Sequence, residues 1–492
     1  MNVLLVNSRP FFYKAAIDAP IGILAIGSYL KNLGHNVKIC DRALKSYNVV
    51  KEIKAFKADV IGISCISTLG MNDSVYIAKQ ARKTGIPIIA GGHQACSSPE
   101  MYLHEDRADY VIDSEGEEIF ADLLEMLEGK KRVEDILGVY YLENGEMRFT
   151  GKRPFADISN FKMDWSMLEC EKYFRPYYSI CKRLSYMYTS KGCPFSCKFC
   201  FNHDFHRSCH RNRSMTVVLE EIKYLMDNHG LDGVYFIDEL FAAGKKMLHD
   251  KCNAIIDSGL KFAWGCEIRI GDHDEEDIDL MYKAGCRWVF AGIDSGNEEI
   301  RKKINKTIDI EKTAKNIEYC QKKGMTVIGS FILGYPGETP EQLKESCQLS
   351  LRLDHGNFIH NFNHYEILPL SEFYKEYTKT GEYDPPKDLK GWGKINATEY
   401  VNNSMSKIPY TDLNVVRCYM LWKNISASSN KHDSDTSYFK YIKSTIKEAA
   451  RNIFRYGIKV GIPWAFKTLT TFLHFVRYTY FYPSILKKYG IK

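Results

Sequence analysis

Cys193, Cys197 and Cys200 share one short stretch, Cys193-Pro-Phe-Ser-Cys197-Lys-Phe-Cys200. Three thiols at this spacing can converge on one metal centre and leave a coordination position open, and metal binding deprotonates each sulfur. Two centres suit the spacing. Three cysteines with His203 or His206 would close a structural zinc site. Three cysteines alone would hold three irons of a [4Fe–4S] cluster and leave the fourth iron to a substrate. Zinc sites usually pair two Cys-x-x-Cys knuckles, and this chain has no second one. Three metal-free thiols on one loop would invite oxidation. The spacing favours the cluster over zinc, and zinc over free thiols.

The stretch follows an expected strand, Ser185–Ser190, so the surrounding elements must present it on a loop. From the N-terminus strand and helix alternate: an apolar strand over Met1–Asn7, a helix over Ile21–Leu33, then strands at Val37–Cys40, Val60–Ser64, Ile86–Ala90 and Tyr110–Ile112. Helices are expected at Glu52–Phe56, Asn72–Lys83 and Glu118–Leu127. This order implies a Rossmann-like, doubly wound parallel sheet, whose ligands sit beyond the strand C-ends. Asn7–Ile21, Asp41, Ser64–Leu69 and Gly91–Cys96 therefore fall on a ligand rim. Leu137–Phe149 reads as a hairpin turning at Asn144-Gly145. Gly151–Ile180 reads as a packed linker, because Phe161, Trp165, Tyr173, Phe174 and Tyr177 need burial.

A second alternation follows, with strands at Ser185–Ser190, Gly233–Asp238, Lys261–Glu267, Trp288–Asp294, Thr326–Leu333 and Asn361–Leu368. Helices fall between them, at Thr216–Asn228, Lys245–Ser258, Glu275–Ala284, Ile310–Lys323 and Glu341–Leu353. Six such units make a partial (β/α) barrel, whose chemistry collects at strand C-termini. Polar residues fall there: Asp238 and Glu239, Glu267 and Arg269, Asp294 and Ser295, then Gly334-Tyr335-Pro336-Gly337-Glu338. The expected domains are 1–135, a hairpin and linker over 136–184, the partial barrel over 185–370 and a helical region over 371–492.

Composition bounds the partners. At 492 residues, with 45% apolar and 26% charged residues, the chain is an ordinary globular protein of two or three domains. Fifteen cysteines with no signal-peptide pattern at Met1–Leu5 imply a reducing cytoplasm rather than a disulfide framework. The net charge of +6 is concentrated at the end: residues 440–492 carry eleven Lys or Arg and one acid, which leaves the rest of the chain net acidic. No nucleic-acid footprint covers the body. Lys443, Lys447, Arg451, Arg455 and Lys459 make one helical stripe, followed by Trp464, Phe466, Phe472, Phe475, Tyr478, Tyr480, Phe481 and Tyr482. That combination suits a membrane interface, at the inner face of the membrane, or a helical cap packed on the barrel.

The cysteine motif, with Phe199 before its last cysteine and Tyr188-Thr189-Ser190-Lys191-Gly192 ahead of it, resembles the radical S-adenosylmethionine (SAM) superfamily. The N-terminal half resembles the cobalamin (B12)-binding domain that precedes many of those barrels. The matching features are Ala19-Pro20-Ile21-Gly22-Ile23-Leu24, Gly34-His35-Asn36-Val37, Gly91-Gly92-His93 and Asp113-Ser114-Glu115-Gly116-Glu117. The resemblance runs from Met1 to about Leu370. It implies a [4Fe–4S] cluster on Cys193, Cys197 and Cys200, whose open iron chelates SAM and whose electron generates a 5′-deoxyadenosyl radical. It also implies SAM contacts from Phe199, Asp238, Glu239, Arg269, Asp294, Ser295, Ile332 and Gly334, and corrinoid contacts from Pro20, Gly22, Ser64, Gly91, Gly92 and His93. Asp238 and Glu239 would meet the SAM amino group. Asp294 would lie near its ribose, one methylene short of the family's glutamate, and Glu338 would cap the following helix.

One departure is specific. Cobalamin domains that supply an axial ligand carry Asp-x-His-x-x-Gly after the second strand, whereas this chain reads Asp41-Arg42-Ala43-Leu44-Lys45-Ser46. Any cobalamin would bind without a histidine from that loop. The expected activity is cobalamin-dependent methylation of an unactivated carbon. Radical cyclisation, coupling or rearrangement of a lipid or natural product is the alternative, and a zinc-stabilised binding module is the non-enzymatic one. Expected partners are a small-molecule or lipid-linked substrate and an electron donor such as flavodoxin or ferredoxin.

Overall fold

A computed structural model describes residues 1–9, 18–66, 70–104, 106–177, 179–388 and 392. The basic aromatic tail beyond Lys440, and the membrane or cap role expected of it, lie outside the described residues. No helix among the described residues is long and apolar enough to cross a membrane. The described chain divides into two compact units. The first holds Met1–Phe290, Asp309–Met325 and the residues from Ile367 onward; the second holds Ala291–Ile308 and Thr326–Glu366.

The first sheet comprises β1 (Asn2–Asn7), β2 (Asn36–Asp41), β3 (Val60–Ser64), β4 (Ile88–Gly91), β5 (Tyr110–Ile112), β6 (Val139–Glu143) and β7 (Glu146–Phe149), in the order β2-β1-β3-β4-β5-β6-β7. Neighbouring strands from β2 to β5 pair in parallel, and strand order reverses at β1. Burial on both faces explains the unbroken apolar runs. Leu4, Val6, Ile61 and Ile63 pack on one face, while Val3, Leu5, Val60 and Ile89 pack on the other. Gly62 is required by that packing, because a Cβ there would come within 2.7 Å of Leu5 and Phe120. The expected hairpin turns at Asn144 and Gly145, both with positive φ (52° and 83°), as its two-residue turn demands. It is not separate from the first sheet, however. β6 pairs antiparallel with β5, so the hairpin extends that sheet.

The linker packs as expected: Trp165 and Tyr173 are buried, with Phe161, Phe174 and Tyr177 half-buried. Its anchor is a fully buried ion pair. Glu221, on the helix Met215–His229, pairs with Arg213 and accepts from the Met163 amide (2.7 Å) and Trp165 Nε1 (3.1 Å). The linker also contains an unforeseen strand, β8 (Arg175–Tyr177), which runs antiparallel to β9 (Cys181–Met187).

After β9 come the two-residue strands β10 (Ser190–Lys191) and β11 (Arg211–Asn212), then β12 (Gly233–Phe236) and β13 (Ala263–Ile268). β12 pairs in parallel with both β9 and β13. Helices Lys245–Asp257 and Glu275–Lys283 follow β12 and β13. The chain passes into the second unit within β14 (Cys286–Asp294). There β15 (Thr326–Leu333) pairs in parallel with β16 (Phe358–His364), and the helix Pro340–Arg352 connects them. All six expected strands are present, with boundaries shifted most at β9 and β16, where polar residues interrupt the apolar pattern. From the region expected to be helical beyond residue 370, one helix is described, Glu372–Thr380, capped by Ser371 and ended by left-handed Gly381.

Candidate cofactor sites

β10 and β11 pair antiparallel, Lys191 opposite Arg211, and so clamp the base of the loop that carries the three cysteines. Cys193, Cys197 and Cys200 are all half-buried, whereas Cys252, Cys266 and Cys286 of the surrounding elements are fully buried. Cys200 N donates to Cys197 O (3.0 Å), which tightens the last turn of the motif. Gly192, at φ +86°, admits no side chain: a Cβ would lie 2.0 Å from the Cys209 carbonyl. The outer side of the loop rests on the helix Glu372–Thr380, through Lys198–Glu372 (2.7 Å), Phe373 N to Lys198 O (3.2 Å) and Lys375–Asp204 (2.9 Å).

These residues fit a cluster better than a closed zinc site. His203 is exposed. His206 is buried and faces two acids, with Nε2 3.2 Å from Glu239 and Nδ1 3.5 Å from Glu115. A one-ion site gathers its thiolates within about 2.3 Å of one metal, whereas cluster thiolates each take a different iron. Among the described residues no three His, Cys, Asp or Glu side chains gather to hold a single ion.

The acids at the strand ends divide by environment. Asp238 is fully buried and accepts from Thr189 N (2.9 Å), Thr189 Oγ1 (2.8 Å) and Ser190 Oγ (2.5 Å). Lys251 Nζ donates to the same Thr189 hydroxyl (2.7 Å). Burial raises the Asp238 carboxyl, and its Oδ2 has no hydrogen-bond partner among the described residues. Glu239 is more open. One oxygen takes the Gly192 amide (2.9 Å) and the other meets His206. Burial would raise its carboxyl, but the His206 bond and charge and the Gly192 amide bring it down to about 2. Glu267, at the end of β13, goes the other way: burial, then the charges of Glu239 and Asp238, push it up to about 7. Two residues on, Arg269 bonds Asp272 (2.8 Å) and lays its guanidinium 3.8 Å over the ring of Phe195 in the cysteine loop. Phe199 is half-buried within that loop.

At the loop after β2 the rim of the first sheet carries Ala43 where an axial histidine would stand, and the charged side chains of Asp41 and Arg42 there are already engaged. Asp41 accepts from Asn7 (3.0 Å), the Ala43 amide (2.9 Å) and the Tyr173 hydroxyl (3.0 Å). Arg42 is bidentate on Asp73, at 2.8 Å on both arms. The reversal point between β1 and β3 is floored by Ser8, whose amide and hydroxyl both donate to Ser64 O (3.2 and 2.8 Å). Beside it Gly92, at φ +94°, lets the chain pass Cys65, whose carbonyl a Cβ would meet at 2.6 Å; Cys65 N donates to Gly91 O (2.9 Å). Pro20 is the buried N-cap of the helix Ile21–Asn32, and next to it Gly22 is exposed with nothing within 4 Å of a Cβ. Small side chains and open backbone at a strand-order reversal suit a corrinoid held by shape, without an imidazole from position 43.

His93 joins the two rims. It opens the short helix after β4, half-buried between Phe205 (ring centroids 4.3 Å apart) and Phe201 (4.8 Å), which follow directly on Cys200. Burial, reinforced by the nearby charge of His206, pushes its pKa down to about 4, so the ring is neutral at pH 7.

In the second unit Asp294 ends β14 at φ +65°, a left-handed conformation that Asp tolerates better than most residues. Its carboxylate lies 2.6 Å from Lys306 Nζ, and both side chains are buried. Ser295 is fully buried, 3.3 Å from the Ser346 hydroxyl. Ile332 is half-buried near the end of β15, and Gly334 adopts φ +88° just beyond it. Glu338 does not cap the next helix. Thr339 and Gln342 form that capping box, while Glu338 turns back to accept from Gly334 N (2.6 Å) and Tyr335 N (3.1 Å), and burial pushes it up to about 7. Sequence reading missed Lys306 and the charges around His206. Lys191, directly before Gly192-Cys193, was the one local signal of the latter.

Comparison with known proteins agrees with this layout. The Radical SAM superfamily profile matches residues 187–350, and the B12 binding domain profile matches residues 17–124. An uncharacterized methyltransferase of Pyrococcus horikoshii is 29% identical over 343 residues, covering 68% of this chain and 73% of that protein. An anaerobic magnesium-protoporphyrin IX monomethyl ester cyclase of Rubrivivax gelatinosus is 26% identical over 370 residues, covering 73% of this chain and 66% of that enzyme. Among solved structures, the radical SAM methyltransferase TsrM from Kitasatospora setae, with cobalamin and a [4Fe–4S] cluster bound, matches with a TM-score of 0.65 at 17% identity, covering 77% of this chain and 75% of that one. That likeness is one of fold: a Rossmann-like sheet followed by a radical SAM half-barrel.

Proposed function

This chain belongs to the radical SAM enzymes that carry a B12-binding domain, and from that premise we propose that it transfers a methyl group to an unactivated carbon of a small-molecule substrate. The observation that carries the reading is the contact of the cysteine loop with the first sheet's rim at His93. When bound, the [4Fe–4S] cluster supplies the electron that splits SAM to a 5′-deoxyadenosyl radical, and methylcobalamin supplies the methyl group.

The chain's own residues hold and orient. Cys193, Cys197 and Cys200 are the cluster ligands. Phe199, Glu239, Arg269, Asp294, Ser295, Ile332 and Gly334 are the SAM contacts that we propose from the resemblance. Asp238 is proposed to act from behind, fixing Thr189 and Ser190 ahead of the loop. Pro20, Gly22, Ser64, Gly91, Gly92 and His93 are proposed to line the corrinoid. Tyr186 and Tyr235, packed edge to face (5.5 Å), and Trp288 beside Tyr235 offer the half-barrel an aromatic wall that would exclude water from a radical. We keep the boundaries 1–135, 136–184, 185–370 and 371–492 as functional divisions. A flavodoxin or ferredoxin as donor, a cytoplasmic location, and a lipid-linked substrate met at the membrane through the tail belong to the same proposal.

The test is incubation of the reconstituted protein with reductant, candidate substrates and SAM bearing a deuterated methyl group. Methylation predicts that the label appears in product. Likeness to the cyclase supports a second reading, radical cyclisation; it predicts a product that has lost hydrogen and gained no label.

A further inference from the structure

The acidic turn after β5, Asp113-Ser114-Glu115-Gly116-Glu117, has no part in the chemistry proposed above, yet it reaches the residues that flank the cysteine loop at both ends. Glu117 pairs with Lys191 (2.7 Å), which also lies 3.6 Å from Glu115. Glu115 takes both arms of Arg211, so each strand of the clamp at the base of the loop is tied to this turn. Ser114 Oγ donates to the Phe205 carbonyl (3.2 Å), at the end of the helix whose rings cover His93. Between the turn and β12 sits His206, buried, with one nitrogen toward Glu115 and the other on Glu239; the second oxygen of Glu239 holds the amide of Gly192, the residue before Cys193. The ring of Phe155 lies beneath the guanidinia of Arg207 (3.8 Å) and Arg211 (4.2 Å) and closes the network from the linker side.

We infer that Glu115 and His206 are positioning residues that, through Glu239, fix the cysteine loop to the first sheet's rim, so that a ligand on that rim and a ligand on the loop bind cooperatively. The physical basis is the burial of the bridge. An imidazole buried between two partly buried carboxylates holds its geometry, and removing one partner leaves the buried ring short of a partner where little water reaches. The rim cannot then move relative to Gly192 without breaking the bridge. Coupling of this kind is reciprocal.

The test is peptide-level hydrogen–deuterium exchange over residues 193–206, in the full chain with its cluster reconstituted, with and without hydroxocobalamin. Without corrinoid, Glu115→Gln should exchange at least about tenfold faster there than wild type, with Glu115→Asp in between and the helix Ile310–Lys322 unchanged in all. Should Glu115→Gln not fold, His206→Asn carries the same arm from the loop side. Equal exchange in wild type and variants overturns the inference. With hydroxocobalamin, wild type and Glu115→Asp should show slowing across 193–206, while Glu115→Gln should bind corrinoid with no slowing of the loop. Slowing that persists in Glu115→Gln also overturns it. The second arm rests on the proposed cofactor and the first does not. If absorbance shows no corrinoid bound to any form, the cobalamin reading fails, and the corrinoid-free exchange alone decides the positioning role.

Discussion

The rim of the first sheet and the cysteine loop both lie at strand C-ends in one compact unit, yet they use charge in opposite ways. At the first rim Asp41 and Arg42 are tied inward, to Asn7, Tyr173 and Asp73, and among the described residues Ser8, Ser64 and Gly92 form the strand-order reversal. At the loop, charged side chains tie down the chain around the thiols: Glu239 takes the Gly192 amide, and Lys191 and Lys198 form ion pairs with Glu117 and Glu372. The contrast separates two ways of holding a cofactor. A large planar group can be held by shape and many weak contacts, whereas an iron cluster needs a few strong ligands on a chain that cannot recoil.

The contrast breaks most completely if a loop thiol proves dispensable. Cys197→Ala should lose cluster iron and all 5′-deoxyadenosine formation, whereas Cys209→Ala, exposed and outside the motif, should keep both; iron, sulfide and nucleoside analysis check this. The next effect belongs to the first rim. Arg42 and Asp73 are both almost fully buried, so Asp73→Asn strands a guanidinium and should lower unfolding free energy by about 3 kcal/mol in urea titration. SAM cleavage by the folded fraction should stay intact, since that pair touches no proposed cluster or SAM residue.

A smaller effect is pH-dependent. Glu267 titrates near 7 in the fold and near the ordinary glutamate value when unfolded. A raised acid contributes stability that is complete below about 4.5 and lost as pH rises through 7. Glu267→Gln removes that loss. Relative to wild type, its stability should therefore climb by about 1–2 kcal/mol between pH 5 and pH 8, after allowance for the partial exposure of the side chain. A flat difference across that range would mean the carboxyl is solvated. The smallest effect is spectroscopic. With Ala43 in the ligand position and the neutral ring of His93 packed between phenylalanines, the Co(II) form of bound cobalamin should show no nitrogen splitting in its paramagnetic resonance. His93→Ala should leave that spectrum unchanged, and splitting that vanishes in His93→Ala would identify His93 as an axial ligand.

Much of this architecture was legible in the sequence, because parallel strands buried on both faces read as apolar runs and the helices between them keep their period. The thiol motif was legible for a different reason: its spacing is local. What escaped was non-local or short. β8 is three residues long and contains Pro176, so no pattern marks it until β9 is alongside. The hairpin at Asn144-Gly145 was readable from its turn, but its attachment to β5 depends on an edge that only the folded sheet exposes. Glu338 precedes a good capping box and looks like part of it, yet the turn at Gly334–Gly337 offers its carboxylate two backbone amides at closer reach. The bridge through His206 draws on residues from three distant segments, none with a telling neighbour except Lys191.

The central claim is that the three cysteines hold a cluster that cleaves SAM. The most direct measurement is made on anaerobically purified, iron–sulfide-reconstituted protein given SAM and a strong reductant, with iron, zinc and 5′-deoxyadenosine quantified together. The account predicts a [4Fe–4S] complement and reductant-dependent 5′-deoxyadenosine. Protein that retains zinc, takes up no iron and leaves SAM intact would contradict it.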